Sequence, residues 1–173
     1  MTNKNELFAT VQEQDTFISR TINAPRALVF KAWTDPEHLK HWFAPRGCSL
    51  HFTAIDVRPG GGFHSCIRTP DLKDCWCKGT YLEIVAPEKI VFRMAVSDEH
   101  GNLISSAEAG MAPDWPEETT VTVTFAEEGE KTKFTLHQTV AETLAKRTGA
   151  YPSWLDMLDI LEAQLQQHSG TSR

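Results

Sequence analysis

Five large apolar residues near the end of the chain, Trp154, Met157, Leu158, Leu161 and Leu165, fall at i, i+3, i+4, i+7 and i+11. That spacing puts them on one stripe of a single helix, and such a stripe must be buried against something. The preceding residues supply the partner. From Cys48 to Val140 the chain reads almost wholly as strand: SLHFTAIDV, FHSCIR, CWCKGTYLEIV, KIVFRMAV, VTVTF and KTKFTLHQTV. An earlier strand, Phe17–Ile22, is followed by Asn23 and Pro25, a cap and first-turn pair that opens a short helix. Pro36 disfavours helical geometry at Asp35, so a second short helix runs from Pro36 to Trp42. The predicted class is α+β: a curved antiparallel sheet of about six or seven strands wrapped around a long C-terminal helix, with two short helices after the first strand. Pro152 either starts this helix or kinks a longer one beginning near Ala141; Leu144 and Thr148 extend the stripe backwards, which favours the kinked long helix. A bent sheet gripping one helix leaves a wedge of space between them, a natural small-molecule cavity.

With 173 residues the chain is long enough for one domain with a real core. Residues 1–14 read as a polar lead-in, 15–167 as the domain and 168–173 as a tail. The net charge of −6 argues against nucleic acid or an anionic membrane as the main partner. No apolar run approaches the ~20 residues that cross a bilayer. The polar start MTNKNELFATVQEQD does not read as a signal peptide, and four cysteines are too few for a disulfide scaffold, so no secretion signal and reduced thiols in the cytoplasm are expected. Nucleophile-elbow, P-loop and dinucleotide signatures are absent.

Several short motifs recur in a fixed order. They are Ala24-Pro25, Val29-Phe30, Trp33-Thr34-Asp35-Pro36-Glu37 and Trp42-Phe43-Ala44-Pro45, then Asp56 with Arg58-Pro59-Gly60-Gly61. Gly79, Tyr81, Glu83-Ile84, Pro87-Glu88 and Ile90-Val91-Phe92 follow, and Gly149-Ala150-Tyr151 with Trp154-Leu155 close the series. Together they resemble the SRPBCC (START-like, helix-grip) superfamily, in the AHSA-type branch named after the activator of the heat-shock-protein-ninety ATPase. The resemblance spans roughly residues 15–167 and implies the helix-grip fold. It implies function only loosely, because that superfamily hosts lipid carriers, cyclases, stress proteins and cochaperone domains.

The expected ligand site is the cavity between sheet and closing helix, lined by Trp33, Trp42, Phe43, Phe63, Ile67, Trp76, Phe92, Trp115, Trp154 and Leu158. Strand parity puts Phe63, Ser65 and Ile67 inward. A hairpin centred on Asp71-Leu72 then sets Ile67 opposite Trp76 and carries Thr80, Leu82 and Ile84 to the inner face, with Tyr81 and Glu83 outward. The same pairing gathers His64, Cys66, Cys75 and Cys77 into one outer patch. That patch reads as a zinc set, an oxidisable thiol cluster or small apolar filler, and C-x-C on a strand, spanning about 7 Å, counts against zinc. His38 and His41 lack a third ligand, and Asp56 and Glu83 form no acid–base pair. No cofactor and no resident metal are expected, and no catalytic residue is assigned. The expected function is binding of a small apolar or amphipathic molecule. A chaperone-interacting module and a cyclase- or hydrolase-like enzyme are the alternatives. The long loop from Asp98 to Pro116, with Leu103, Ile104, Met111 and Trp115, is expected at the cavity rim or in a homodimer contact.

Overall fold

The computed structural model describes residues 14–171, with the side chains of 168–171 excepted. The lead-in therefore lies outside the described residues, apart from Gln14. Seven strands form one antiparallel sheet in the order β1-β7-β6-β5-β4-β3-β2. They are β1 (Asp15–Ile22), β2 (Ser49–Ile55), β3 (Gly62–Arg68), β4 (Asp74–Val85), β5 (Lys89–Val96), β6 (Glu118–Glu128) and β7 (Lys131–Ala141). Helices α1 (Arg26–Thr34) and α2 (Pro36–Trp42) follow β1, and α3 (Glu142–Thr148) and α4 (Ala150–Thr171) close the chain. The sheet is a meander except for β1, which returns to pair with β7.

Alternation of apolar and polar residues sorts the two faces of the sheet. Phe92, Val121, Val123, Phe125, Phe134 and Leu136 turn inward and are nearly fully buried. The helix stripe meets them: Trp154, Met157, Leu158, Leu161 and Leu165 are all buried in the same cluster. Burying one such side chain stabilises the fold by about 1.5–3 kcal/mol. The break at Asp35 forms as the sequence requires: Asp35 is extended (φ −93°, ψ 117°) and its carboxylate caps α2 by accepting from the Glu37 N–H at 2.9 Å.

Three expectations change. The closing helix is not kinked at Pro152. It breaks at Gly149, whose left-handed φ of +88° ends α3, and Pro152 sits in the first turn of α4 without conflict. Helix α4 also runs to Thr171, into the range read as a tail.

The third change is the β3–β4 register. Cys66 pairs with Trp76, Ser65 with Cys77 and Ile67 with Cys75. The connecting turn, closed by Thr69 N–H on the Lys73 carbonyl with Leu72 at φ +64°, has an odd number of residues rather than an even one. A one-residue shift exchanges the faces of the whole strand. Trp76 and Thr80 therefore face outward and Cys75, Cys77 and Tyr81 inward. A bulge between Tyr81 and Glu83 then reverses parity once more. Leu82 is left exposed and Ile84 packs on the core.

Candidate functional site

Three tryptophans meet between the helices and the sheet. Trp33, on α1, packs edge-on against Trp42 at 4.7 Å between ring centroids and lies parallel to Phe134 and Trp154 at 5.6 and 6.4 Å. Two of the three indoles have acceptors. Trp42 Nε1 donates to the Ala32 carbonyl at 2.9 Å. Trp154 Nε1 donates to Gln138 Oε1 at 2.9 Å, and the Gln138 amide donates on to Thr119 Oγ1 at 3.1 Å. Gln138 is buried, and this closed chain explains how a polar side chain stands among apolar ones. The third indole differs: Trp33 Nε1 is fully buried and meets no acceptor among the described residues. An unmatched buried donor of this kind costs about 1–3 kcal/mol.

Beside Trp33 the interior is not completely filled. A void of about 20 Å³ is walled by Trp33, Leu39, Phe43, Phe52, Phe63, Tyr81, Ile90 and Phe92. That is room for roughly one water molecule. Six of these side chains are buried, whereas Phe43, just past α2, and Phe52, on edge strand β2, are half-buried. The mouth therefore lies between the end of α2 and β2.

Tyr81 is the one titratable group in this wall. Burial pushes its phenol up to about 12, so it is neutral at physiological pH. Its hydroxyl makes no hydrogen bond among the described residues. Its backbone is held from both sides by the glycine-rich turn, with Gly60 N–H on the Tyr81 carbonyl at 2.7 Å and Tyr81 N–H on the Gly61 carbonyl at 2.8 Å. Gly60 has φ +83°, and a Cβ on Gly61 would run into the Asp56 carbonyl oxygen. The turn and the Gly-x-Tyr strand, far apart in sequence, thus form one structural unit behind the void.

Of the ten residues expected to line the cavity, Trp33, Phe43, Phe63 and Phe92 do so. Trp42, Trp154 and Leu158 belong to the buried core around it. Ile67 is half-buried on the inner face further along β3. Trp76 is a correction: it lies on the outer face, stacked on His64 at 4.9 Å, and borders an outer cleft of about 440 Å³ with Ile104 and Met111. Trp115 does not reach the void. It is half-buried within its own loop, where its carbonyl accepts from Ser106 Oγ at 2.7 Å. That loop is tied to α3 by the Asp114–Arg147 ion pair, while Leu103 stays 65% exposed. Leu39, Phe52, Tyr81 and Ile90 were missed. A correct β3–β4 register would have found Tyr81.

The same register dissolves the cysteine patch. His64 and Cys66 lie on the outer face, Cys75 and Cys77 on the inner one. Among the described residues no group of three or more His, Cys, Asp or Glu is placed to hold a metal ion. His64 Nε2 lies 3.0 Å from the Asp98 carbonyl, which can only accept, so Nε2 carries a proton, and Nδ1 stands 2.6 Å from Thr53 Oγ1. Burial raises all three strand thiols, Cys77 to about 12, and the Asp74 carboxylate adds to the effect at Cys66. Such thiols are poor nucleophiles at neutral pH. Asp56 and Glu83 stand away from the void in exposed ion pairs, with Arg58 at 2.6 Å and Lys89 at 2.8 Å.

A curved antiparallel sheet closed on one long helix, with two short helices after the first strand, defines a helix-grip (START-like) domain. The aromatic void lies between the sheet and α1–α2 and not, as expected from the sequence, against α4, since no α4 residue is in its wall. The chain belongs to the family described as activator of Hsp90 ATPase homolog 1-like protein, which matches residues 23–166. Solved structures agree on the fold. A protein from Arthrobacter aurescens is 20% identical (TM-score 0.76; 91% of this chain and 92% of that one). One from Staphylococcus epidermidis is 24% identical (TM-score 0.74; 91% and 92%). The AHSA1 protein from Silicibacter pomeroyi is 16% identical (TM-score 0.69; 89% and 99%). No curated protein matches the chain. Among the described residues, no helix is long and apolar enough to cross a membrane.

Proposed function

We propose that this domain binds a small apolar or amphipathic molecule in the space between the sheet and the helices, entering between Phe43 and Phe52. The observation that carries the reading is the void itself. It is walled by aromatic and aliphatic side chains, it is bordered by two half-buried rings at one end, and two of its wall residues, Trp33 and Tyr81, carry a polar group with no hydrogen-bond partner among the described residues. Sites for small molecules combine an apolar lining with a few such groups. The void of about 20 Å³ is far below the roughly 300 Å³ of a site for a drug-sized ligand. Binding therefore requires the wall to open, and its two half-buried members are Phe43, at the end of α2 in ring contact with Trp33, Trp42 and Trp154, and Phe52, on the sheet edge. Native mass spectrometry after mild extraction, with thermal-shift screening of uncharged lipids and aromatic compounds, tests the reading. Stoichiometric adducts and a raised melting temperature are expected. A fold that no compound stabilises and that carries no adduct overturns it.

The family's description favours a second reading, a module that docks on a ninety-kilodalton heat-shock chaperone. Pull-down with that chaperone, with and without nucleotide, separates the two.

A further inference from the structure

We infer that the molecule taken up by this cavity is uncharged and presents a hydrogen-bond acceptor, a carbonyl or ether oxygen, to the Trp33 indole N–H, with the Tyr81 hydroxyl as its second polar contact. This inference rests on the binding reading above and specifies its chemistry.

Three observations lead to it. First, Trp33 is 2% exposed and its Nε1 is the one core indole nitrogen without an acceptor, while Trp42 and Trp154 each have one within 2.9 Å. An indole N–H can only donate, so whatever satisfies it must accept. Second, the wall contains no cation and no anion. A carboxylate or an ammonium entering it would lose its hydration with no counter-ion to replace it. Third, Tyr81 keeps its proton, because burial holds the phenol far above neutrality. It can therefore donate to the same acceptor or receive a hydroxyl from the ligand, and it adds no charge of its own. The glycine-rich turn fixes Tyr81 from behind, so this contact is set by the fold rather than by a mobile loop. Selectivity follows from what is left unpaired. A hydrocarbon of the same shape fills the apolar wall but leaves the Trp33 N–H orphaned, whereas a ketone satisfies it.

The test uses three probes of matched shape: 2-acetylnaphthalene (neutral acceptor), 2-ethylnaphthalene (no acceptor) and 2-naphthoate (charged). Each is titrated into the full chain by calorimetry and by 15N-resolved NMR of the indole N–H signals. The ketone is expected to bind about tenfold more tightly than the hydrocarbon, the ratio one net hydrogen bond supplies. It should also move one indole signal downfield, the one that disappears in Trp33→Phe. In Trp33→Phe the ketone preference should vanish while hydrocarbon affinity stays. Tyr81→Phe should lower it several-fold. If Trp33→Phe does not fold, the downfield shift in the unmodified protein still decides the matter.

Equal affinities for ketone and hydrocarbon, with the indole signals unmoved, overturn the acceptor proposal and leave the binding reading standing. So does tightest binding of the naphthoate. Failure of all three probes to bind in the void overturns both.

Discussion

Gly79 sits on β4 directly under the ring of Phe63, where a Cβ would overlap two atoms of that ring and stand 2.5 Å from the Arg93 carbonyl oxygen. Ordinary carbon–oxygen contact begins near 3.4 Å. Gly79→Ala therefore makes two demands. The Phe63 ring must slide off the strand, and the void beside it is the free space available. The β4–β5 pair must also yield by most of an ångström at a hydrogen-bonded position, which backbone does reluctantly. Overpacking of this kind costs about 1–3 kcal/mol. The loss of unfolded-chain entropy on replacing glycine returns about 0.4–1 kcal/mol. A net destabilisation of about 1–2 kcal/mol is expected in urea unfolding followed by far-UV circular dichroism. Phe63→Leu removes the ring edge that the new methyl strikes and by itself costs up to about 1.5 kcal/mol. The double variant should fall short of the sum of the two by about 1 kcal/mol, because its members share one clash. Strict additivity, or a Gly79→Ala protein as stable as the parent, would refute the packing described around the void.

Three further outcomes are expected. Gln138→Leu strands the Trp154 indole N–H and frees Thr119, and should destabilise the fold by about 1–3 kcal/mol in the same unfolding assay. An unchanged midpoint would mean that the buried chain of bonds contributes nothing. Because the Tyr81 phenol is raised to about 12 in the folded state against an ordinary value near 10, the unfolded chain releases its proton first. Stability from this group is then fully present below about pH 10 and is lost as pH climbs towards 12, by about 2–3 kcal/mol in all. Denaturation at pH 9, 10 and 11 reads it, and Tyr81→Phe should flatten the slope. Finally, Cys77, held near 12, should be the slowest thiol to react with an aromatic disulfide reagent at pH 8, as read by peptide mass mapping. Labelling of Cys77 as fast as Cys48 in native protein would show its thiol to be accessible and ionised.

Much of the architecture is legible in the chain because long-period patterns carry it. The α4 stripe, the alternation in β6 and β7 and the break before Pro36 each follow from local sequence and survive in three dimensions. The errors along β4 share one origin. Register across the β3–β4 hairpin depends on how many residues its turn spends, and the Thr69–Asp74 segment fits an even or an odd count equally well. A left-handed Leu72 at φ +64° is not a position that sequence announces. That single residue moved Trp76 out of the cavity and Tyr81 into it, and it split the cysteines between two faces. The bulge at Leu82 then concealed the slip, since Ile84 still turns inward. The closing helix shows the same limit on a smaller scale. Both Gly149 and Pro152 can interrupt a helix, and the positive φ at Gly149 decides in favour of the glycine. The orphan indole was beyond reach, because it depends on which of three neighbouring tryptophans finds an acceptor.

The central claim is that the space bounded by Trp33, Tyr81 and the Phe43–Phe52 mouth receives a small molecule. Isotope-filtered NOE spectroscopy of the 13C-labelled protein saturated with 2-acetylnaphthalene tests this most directly. The predicted result is a set of contacts from the probe to the Leu39 and Ile90 methyls and the Phe52 ring, with the Ile104 and Met111 methyls silent. Contacts confined to Ile104, Met111 and Trp76 on the outer face, or no saturable binding at all, would contradict it.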